Sequence, residues 1–433
     1  MTFNEEQEAI INEQSNYVQV IAAAGSGKTS TMIGILDKLI KERTQDLSKV
    51  LVLTFSRKAV HEFSERLSRL HPNHNIRIQT FHAHCLGTLK SYHPRFLQNP
   101  PGILSEEEKI IFFKNFFKKH RFQIGGIPYK FLLDQNLYIL KKFHFELYQN
   151  ALIELVEFKK LKDKLEFDDL VSIYLKGLEC KEEWTNIPKS NIERLIVDEF
   201  QDTDEEQLRF LKYLNPKYLT VVGDDWQAIY GFRGATPKPF LDFEQAFVPT
   251  KRHFLSTNYR SLPEIVNLSQ KPILENSKYI PKQVKAFRIG KARLEIWKLD
   301  GVQTDMIKLA SKIMEHINQF PDTKILCRTN YRKKEFSMAG IPENYLLTIH
   351  ASKGLEFHSV FIDLISGWNE DAKTIPIDLI EEERRIFYVA LSRAKDQIFL
   401  LGNNSMERTN RLEDLFLSYF QRGSKKIKKS VNL

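Results

Sequence analysis

The chain has 433 residues, of which 42% are hydrophobic and 27% are charged, and it carries a formal net charge of +9. This length and balance indicate a globular protein of two to four domains, and because no apolar run is long enough to span a bilayer, they exclude a membrane-spanning protein. The excess of positive charge favours a polyanionic partner such as a nucleic acid.

The first predicted elements are a strand at Val18–Ile21 and a helix at Ser30–Ile40, joined by a loop of small residues. Small residues let backbone N–H groups surround a phosphate chain, and the helix N-terminus adds positive potential. The loop ends in Lys28, which is placed to reach the β- and γ-phosphates, and Thr29, whose hydroxyl is a ligand for Mg²⁺. The predicted nucleotide-binding residues are Ala24, Gly25, Ser26, Gly27, Lys28, Thr29 and Ser30.

The strict phosphate-loop pattern begins with glycine, and this chain has Ala22 at that position. The alternative interpretation is a chance turn of glycine and alanine beside a solvated lysine. The strand before the loop and the helix after it favour the phosphate-binding interpretation, because this is the context that the motif requires.

Short apolar runs alternate with amphipathic stretches along the rest of the chain, which predicts an α/β fold with parallel sheets and helices on both faces. Strands are predicted at Lys49–Phe55, Ile76–Thr80, Arg194–Glu199, Tyr218–Gly223, Lys324–Thr329, Leu346–His350, Ser359–Ile365 and Gln397–Gly402, and helices at Arg57–Leu70, Asp305–Gln319 and Glu381–Lys395. The predicted domains are an α/β domain split over 1–85 and 189–258, a helical insertion at 86–188, a second α/β domain at 259–420 and a disordered basic tail at 421–433.

The strand Arg194–Glu199 ends in two carboxylates, at the edge where open α/β sheets bind ligands. Asp198 is predicted to hold Mg²⁺ directly or through water, and Glu199 to orient and deprotonate the attacking water. The alternative is a strand followed by a solvated acidic turn, since Asp202 and Asp204 follow closely.

The strand Tyr218–Gly223 also has a polar end, where Gln227 is a candidate contact for the γ-phosphate or the attacking water. The rings of Tyr230 and Phe232 come next and are candidates to stack on nucleic acid bases. A place in the hydrophobic core is the alternative for each ring.

Two arginines further along the chain, Arg260 and Arg393, are candidates to reach a γ-phosphate from another domain. An arginine delivered in this way stabilises negative charge in the transition state and couples domain closure to the nucleotide. Spacing alone leaves open that both are ordinary surface arginines.

These motifs, in this order, resemble those of the UvrD/Rep branch of superfamily 1 DNA helicases. The resemblance extends from Phe3 to Lys395, and the form of Gly223–Tyr230 is similar to that of helicase IV. Besides the phosphate loop, the segments that carry it are Phe3–Gln7, Thr54–Ala59, Gln79–Ala83, Asp198–Asp202, Gly223–Tyr230, Asn258–Ser261, Thr348–Glu356 and Glu383–Ala394.

The resemblance implies roles for further residues. Gln7 would read the adenine, Tyr259 would stack on it, and Glu356 would face the nucleotide. Arg260 and Arg393 would touch the γ-phosphate. The residues that would contact single-stranded DNA are Phe55, Arg57, Phe81, His82, Tyr230, Phe232 and His350.

The resemblance also implies two RecA-like P-loop NTPase domains with ATP and Mg²⁺ in the cleft between them. ATP hydrolysis would drive 3′→5′ movement on single-stranded DNA and the unwinding of 3′-tailed duplex DNA. Roughly ninety residues separate Arg260 from His350, little more than one sheet subdomain needs. The large 2B insertion of many relatives is therefore predicted to be missing.

Two alternative functions stay open. An ATP-gated DNA-binding subunit, partnered with a nuclease or another protein of a larger complex, would hydrolyse ATP without separating strands. A P-loop enzyme that acts on a small molecule or a protein would turn over ATP regardless of single-stranded DNA.

The cysteines predict a compartment. Cys85, Cys180 and Cys327 are isolated from one another and form neither a metal-binding pair nor a disulfide framework. This usage fits a reducing cytoplasm.

Overall fold

A computed structural model of the chain describes residues 2–43, 45–125, 140–141, 144–231, 235–299, 304–368, 376–403, 412–422 and 428–432. Within these ranges the chain forms two large sheets of parallel strands that are flanked by helices, which confirms the predicted α/β class. None of the described helices combines the length and the apolar character needed to cross a membrane.

The first sheet has six parallel strands in the order β3-β2-β6-β7-β1-β8. They are β1 (Tyr17–Ala22), β2 (Val50–Thr54), β3 (Arg77–Thr80), β6 (Arg194–Val197), β7 (Tyr218–Gly223) and β8 (Thr250–Leu255). Helices cover both faces, so the central strands are largely apolar, with buried polar exceptions such as Gln19 and Thr220. Strand β8 escaped sequence prediction because it lies at the edge and most of its side chains are polar and partly exposed. The carboxyl ends of β1, β6 and β7 lie at one edge, where they place the polar residues of the site.

Helices of the first half begin with α1 (Glu5–Ile11), α2 (Lys28–Glu42) and α3 (Arg57–Leu70). Between β3 and β6 the described chain is helical apart from the two-residue strands β4 (Gly102–Ile103) and β5 (Lys164–Leu165). This helical region contains α4 (Phe81–Tyr92), α5 (Pro94–Gln98), α6 (Glu106–Lys119), α7 (Arg121–Ile124), α8 (Phe145–Lys162), α9 (Phe167–Glu179) and α10 (Asn186–Ser190). The first half ends with α11 (Glu205–Leu214), α12 (Lys238–Leu241) and α13 (Phe243–Ala246).

The second sheet also has six parallel strands, in the order β13-β12-β14-β15-β11-β16. They are β11 (Arg293–Leu299), β12 (Thr323–Cys327), β13 (Leu346–Thr348), β14 (Phe357–Asp363), β15 (Ala394–Asn403) and β16 (Lys428–Asn432). Its helices are α14 (Pro263–Leu274), α15 (Thr304–Gln319), α16 (Asn330–Met338), α17 (Ile377–Leu391) and α18 (Leu412–Arg422). A separate ribbon joins β9 (Thr257–Asn258) to β10 (Lys285–Ala286).

The two sheets share one topology. Numbered within each sheet by chain order, both place the strands in the order third, second, fourth, fifth, first, sixth. Strand β16 takes the sixth position, where it pairs in parallel with β11. The predicted disorder of 421–433 is therefore wrong for residues 428–432. The composition of this segment did not indicate the edge strand that these residues form.

The hydrophobic cores follow this repeat. Leu51, Leu53 and Leu195 belong to the core on one face of the first sheet, while Val52 and Ile196 belong to the core on the other face. The core of the second sheet on the side of α17 also includes Ala24, Trp226 and Ile229 from the first half. An apolar contact therefore joins the two halves next to the phosphate loop. The predicted helix Glu381–Lys395 is wrong at both ends: α17 begins at Ile377 and ends at Leu391, because β15 begins at Ala394.

Candidate nucleotide site and nucleic-acid interface

The loop between β1 and α2 is shaped by two glycines with positive φ angles, +67° at Gly25 and +83° at Gly27. A Cβ atom on Gly25 would lie 2.8 Å from Cβ of Arg260, and one on Gly27 would lie 2.7 Å from Nε2 of Gln7. Both positions therefore require glycine. The first N–H groups of α2 have no partner within the helix, so they are donors available to a phosphate.

The second half of the chain holds this loop in place. Asn258 Nδ2 donates to the Ala24 carbonyl at 2.8 Å, and the Tyr259 N–H donates to the Gly25 carbonyl at 2.9 Å. The Ala24 N–H donates to the Tyr388 hydroxyl at 3.4 Å. The loop thus contacts the ribbon strand β9 and helix α17 at once.

Lys28 and Glu199 form an ion pair, with Nζ 3.2 Å from Oε1 and 3.3 Å from Oε2. Burial opposes the charge on each group, but the charge of Glu199 raises the pKa of Lys28. In turn, the charges of Lys28 and Lys353 lower the pKa of Glu199. Glu199 has a φ of +52°, a left-handed conformation that costs a non-glycine residue of order 1 kcal/mol or more. Strain of this kind concentrates at functional sites.

Asp198 follows β6 and fits a role in binding Mg²⁺. Burial and the charge of Glu199 raise the pKa of Asp198, although the charges of Lys28 and Lys353 oppose that shift. A divalent cation beside Asp198 would further favour its charged form. Within the described ranges no group of three or more His, Cys, Asp or Glu side chains forms a metal site, but Mg²⁺ typically binds through one or two protein ligands together with substrate phosphates. Thr29, the second residue of α2, offers the other ligand.

Gln227 occupies the point where the two halves meet. Its Nε2 donates to Asp224 Oδ2 at 2.6 Å, and its Oε1 accepts from Arg393 Nη2 at 3.1 Å. Asp224 is fully buried and Arg393 is 1% exposed. Arg393 is therefore an interior residue of the cleft, not the surface arginine that spacing alone left open.

Arg260 lies beside Arg393. Burial and the positive charge of Arg260 lower the pKa of Arg393 to about 9. Arg260 donates from Nε to Glu356 Oε2 at 2.7 Å and from Nη1 to the Ser392 carbonyl at 2.9 Å. Glu356 therefore pairs with Arg260, which the sequence predicted as an arginine finger. The five predicted catalytic residues are linked by contacts to one another or to shared neighbours: Lys28, Glu199, Gln227, Arg260 and Arg393.

The predicted adenine-binding residues also come together. Asn4 and Gln7 form a capping box at the start of α1, and Asn4 Nδ2 donates to the Tyr259 hydroxyl at 2.7 Å. The Tyr259 ring lies 5.0 Å from the ring of Phe287, which follows β10 and is mostly exposed. The site therefore has one more aromatic ring than the sequence predicted.

The predicted DNA contacts form a row that we call the aromatic edge, consisting of Phe55, Tyr230 and His350. The rings of Phe55 and Tyr230 stack at 5.8 Å with 15° between their planes, and the His350 ring lies 6.1 Å from Tyr230. Phe55 follows β2 and His350 follows β13, so the row spans both sheets. Arg57 is exposed at the first residue of α3.

Three predicted DNA contacts differ from this row. Phe81 is buried, and its ring packs edge-on against Phe210. It therefore lies outside the row, and its contact with DNA stays a prediction. His82 lies on the helical side, where its Nε2 is 3.1 Å from Asp168 Oδ1. Phe232 lies outside the described residues.

Lys353 and Asp202 were missed as site residues. They form a buried ion pair across the halves, and Lys353 also donates to the Gln227 carbonyl at 3.0 Å. The Lys353 ammonium lies 4.9 Å from the centre of the Tyr230 ring. Burial raises the pKa of Asp202 to about 6. Lys353 belongs to the segment Thr348–Glu356 that carried the resemblance, but a motif does not show where its side chain points.

Residues 3–248, more than half of the chain, match the family model of the UvrD/REP helicase N-terminal domain. The chain belongs to the UvrD/Rep helicase family. Residues 340–405 match the model of the UvrD-like helicase C-terminal domain. The predicted family is therefore confirmed, and both halves of the cleft carry family sequence.

Curated relatives carry helicase names. The chain is 28% identical to the ATP-dependent DNA helicase Rep of Buchnera aphidicola, over 84% of this chain and 60% of the relative. It is 27% identical to a probable DNA helicase II homolog of Mycoplasma capricolum, over 77% and 50%. It is 26% identical to the ATP-dependent DNA helicase PcrA of Staphylococcus epidermidis, over 84% and 53%. The chain thus spans between half and 60% of the length of these relatives.

Proposed function

We propose that this chain is an ATP-dependent motor that moves 3′→5′ along single-stranded DNA and unwinds 3′-tailed duplex DNA. The observation that carries the proposal is a continuous series of contacts from Lys28 to Arg393. Lys28 pairs with Glu199, and Gln201 contacts both Glu199 and the N–H of Asp224. Gln227 then joins Asp224 to Arg393 of the second half, with a hydrogen bond of 3.1 Å to the arginine. The names of the relatives support the same activity. The shared strand order supports two RecA-like domains, at 1–85 with 189–258 and at 259–420, with the helical insertion at 86–188.

The contacts within the cleft suggest how ATP is cleaved. The γ-phosphate would replace the carboxylate of Glu199 on Lys28, and would also draw Arg260 and Arg393 onto its oxygens. Loss of the Lys28 contact raises the pKa of Glu199, which makes it a stronger base for the attacking water. The two arginines then stabilise the charge that develops on the transferred phosphoryl group. In this proposal Thr29 and Asp198 would hold Mg²⁺, which would neutralise part of the negative charge on the phosphates.

The same contacts offer a route from the nucleotide to DNA. Gln227 lies three residues before Tyr230, and Lys353 contacts both the Gln227 carbonyl and the face of the Tyr230 ring. Movement of Gln227 on phosphate binding would therefore shift the aromatic edge. Transport along a strand requires the two halves to differ in DNA affinity between nucleotide states, because a ligand shifts an equilibrium only through differential affinity.

Three further points belong to the proposal. The described segments between Arg260 and His350 are α14 through β13, elements of the second sheet and its ribbon, which supports the absence of a large 2B insertion. The three cysteines are unpaired, which supports a reducing, cytoplasmic location. A protein partner such as a nuclease stays a prediction from the sequence.

The proposal is tested by measuring ATP hydrolysis with and without single-stranded DNA, and strand displacement on 3′-tailed and 5′-tailed duplexes. We expect DNA to stimulate hydrolysis and displacement to require the 3′ tail. In Glu199→Gln, turnover should fall about a hundredfold or more while ATP still binds. The exposed Glu205→Gln is the matched control and should behave as wild type.

Two results would count against parts of the proposal. Hydrolysis that is indifferent to single-stranded DNA would exclude the motor. If DNA stimulated hydrolysis but neither duplex were displaced, the proposed ATPase function would stand and the proposed helicase activity would be refuted.

A further inference from the structure

Residues Tyr279–Phe287, which we call the strap, belong to the second half of the chain but lie against the first. Trp226 Nε1 donates to the Ile280 carbonyl at 3.2 Å, and the Ile280 N–H donates to Asp225 Oδ2 at 2.7 Å. The strap continues into β10 and reaches Phe287 beside Tyr259. It therefore runs from the turn that follows β7 to the adenine-binding residues.

The centre of the strap is a buried lysine, Lys282. Its ammonium group pairs with Asp224 and lies 2.8 Å from Asp225 Oδ1. It donates to the carbonyl of Ala22, the last residue of β1, at 3.1 Å, and lies 4.6 Å from the centre of the Trp226 ring. The side chains of all three charged residues are at most 1% exposed.

A charge cluster without access to water is costly unless every member is paired. Burial raises the pKa of Asp225 even with Lys282 beside it. Without the lysine, two adjacent carboxylates in the interior would lose the cation that pairs directly with both of them. A buried lysine that lies over a tryptophan ring and pairs with two aspartates is thus a specific structural feature and not an incidental surface ion pair.

The position of Asp224 links this cluster to the cleavage site. One of its oxygens pairs with Lys282, and the other accepts from Gln227 Nε2 at 2.6 Å and from the Tyr388 hydroxyl at 3.4 Å. With Nε2 held by Asp224, the Gln227 amide has only Oε1 to turn toward Arg393. Any shift of Asp224 would therefore rotate or release the amide of Gln227.

We infer that Lys282 is a positioning residue for ATP cleavage, which acts by holding Asp224 where it orients Gln227. This inference rests on the proposed ATPase function. In the described part of the chain, the hydrogen bonds and ion pairs of Lys282 go to Ala22, Asp224 and Asp225. Because none of these is a predicted phosphate-binding residue, the effect of Lys282 should fall on the cleavage rate and not on ATP affinity.

The test compares Lys282→Met, which keeps the length of the side chain and removes its charge, with Lys285→Met, an exposed lysine of the same strap. In Lys282→Met we expect kcat for DNA-stimulated hydrolysis to fall at least about tenfold, since small misplacements of catalytic groups have effects of this size. The KM for ATP should change less than about threefold. Lys285→Met should match wild type in both constants.

A second variant separates positioning from folding. Lys282→Met combined with Asp225→Asn removes one buried carboxylate along with the lysine, so thermal stability should recover toward wild type. The low kcat should persist, because Asp224 still lacks the partner that places it. Recovery of kcat together with stability would show a merely structural role and overturn the inference, as would a wild-type kcat in Lys282→Met. Absence of ATP hydrolysis in the wild-type chain would instead refute the proposed function.

Discussion

Lys353 is the residue where the nucleotide cleft and the aromatic edge meet. Its ammonium group pairs with buried Asp202, binds the Gln227 carbonyl and lies over the ring of Tyr230. One side chain thus contacts a group proposed to lie near the γ-phosphate, a group proposed to contact DNA, and an acid from the opposite sheet. This arrangement makes Lys353 a direct physical link between the two proposed binding sites.

We predict that Lys353→Met reduces the stimulation of ATP hydrolysis by single-stranded DNA at least about fivefold, the lower end of typical coupling free energies. Turnover without DNA should stay within about twofold of wild type. The chain should remain folded, because Asp202, whose pKa is already raised to about 6, can take up a proton once its partner is gone. The measurement is the ratio of kcat with and without DNA. The control is the exposed Lys291→Met, which should keep the wild-type ratio. An unchanged ratio in Lys353→Met would show that Lys353 does not couple the two proposed sites.

At the scale of elements, the conformation of the phosphate loop depends on residues outside its two flanking elements, β1 and α2. Gly25 closely approaches Arg260, and its carbonyl accepts from the Tyr259 N–H. The loop conformation therefore depends on the second half of the chain as well as on its own glycines.

We predict that Gly25→Ala weakens ATP binding at least about tenfold and lowers the free energy of unfolding by about 1–2 kcal/mol, the cost of a left-handed φ for alanine. The new Cβ would lie 2.8 Å from Cβ of Arg260, so the loop or the arginine must shift. ATP affinity and urea unfolding are the measurements. Gly87→Ala, in helix α4 with open space around it, should leave affinity unchanged and stability equal or higher. Wild-type ATP affinity in Gly25→Ala would contradict this account.

How far the sequence predicted these elements depended on burial. Strands such as β2 and β7 are apolar on both faces, so composition placed them nearly to the residue. Strands β8 and β16 lie at sheet edges, where polar side chains are tolerated, and both were missed. Strand β11 was missed as well, although it lies between β15 and β16, because charged residues interrupt its apolar ones. The phosphate loop and Asp198–Glu199 were predictable because their chemistry depends on residue type and local spacing. The pairs of Lys353 with Asp202 and of Lys282 with Asp224 join residues far apart in the chain, and only the tertiary fold brings them together.

At the scale of the whole molecule, the two halves contact each other through layers of different character. An apolar layer places Ala24, Trp226 and Ile229 in the core of the second sheet. A polar layer contains Gln227 with Arg393 and Asp202 with Lys353. Polar contacts can exchange protein partners for phosphate oxygens at small net cost, whereas separating the apolar layer exposes surface to water. We therefore expect the ATP cycle to rearrange the polar layer and to keep most of the apolar one.

The stability of the whole chain should depend on pH through His84, on helix α4. This side chain is 3% exposed, and its Nε2 has no hydrogen-bond partner among the described residues. Burial, with a smaller effect from the charge of Arg77, lowers the pKa of His84 from 6.5 to about 4. The folded state thus keeps the ring neutral where the unfolded chain binds a proton. Its contribution to stability is complete above pH 6.5 and is lost as pH falls through about 4.

We predict that His84 contributes a loss of about 2 kcal/mol in the free energy of unfolding between pH 7 and pH 5. Burial also raises the pKa of Asp202 to about 6, and its protonation favours the folded state over part of this interval, so wild-type data alone would mix opposing effects. The comparison is therefore with His84→Gln, in urea unfolding at both pH values. The variant should lose about 2 kcal/mol less than wild type on acidification, while His61→Gln, at an exposed position of α3, should lose as much as wild type. Equal losses in wild type and His84→Gln would show that this histidine is protonated in the folded chain.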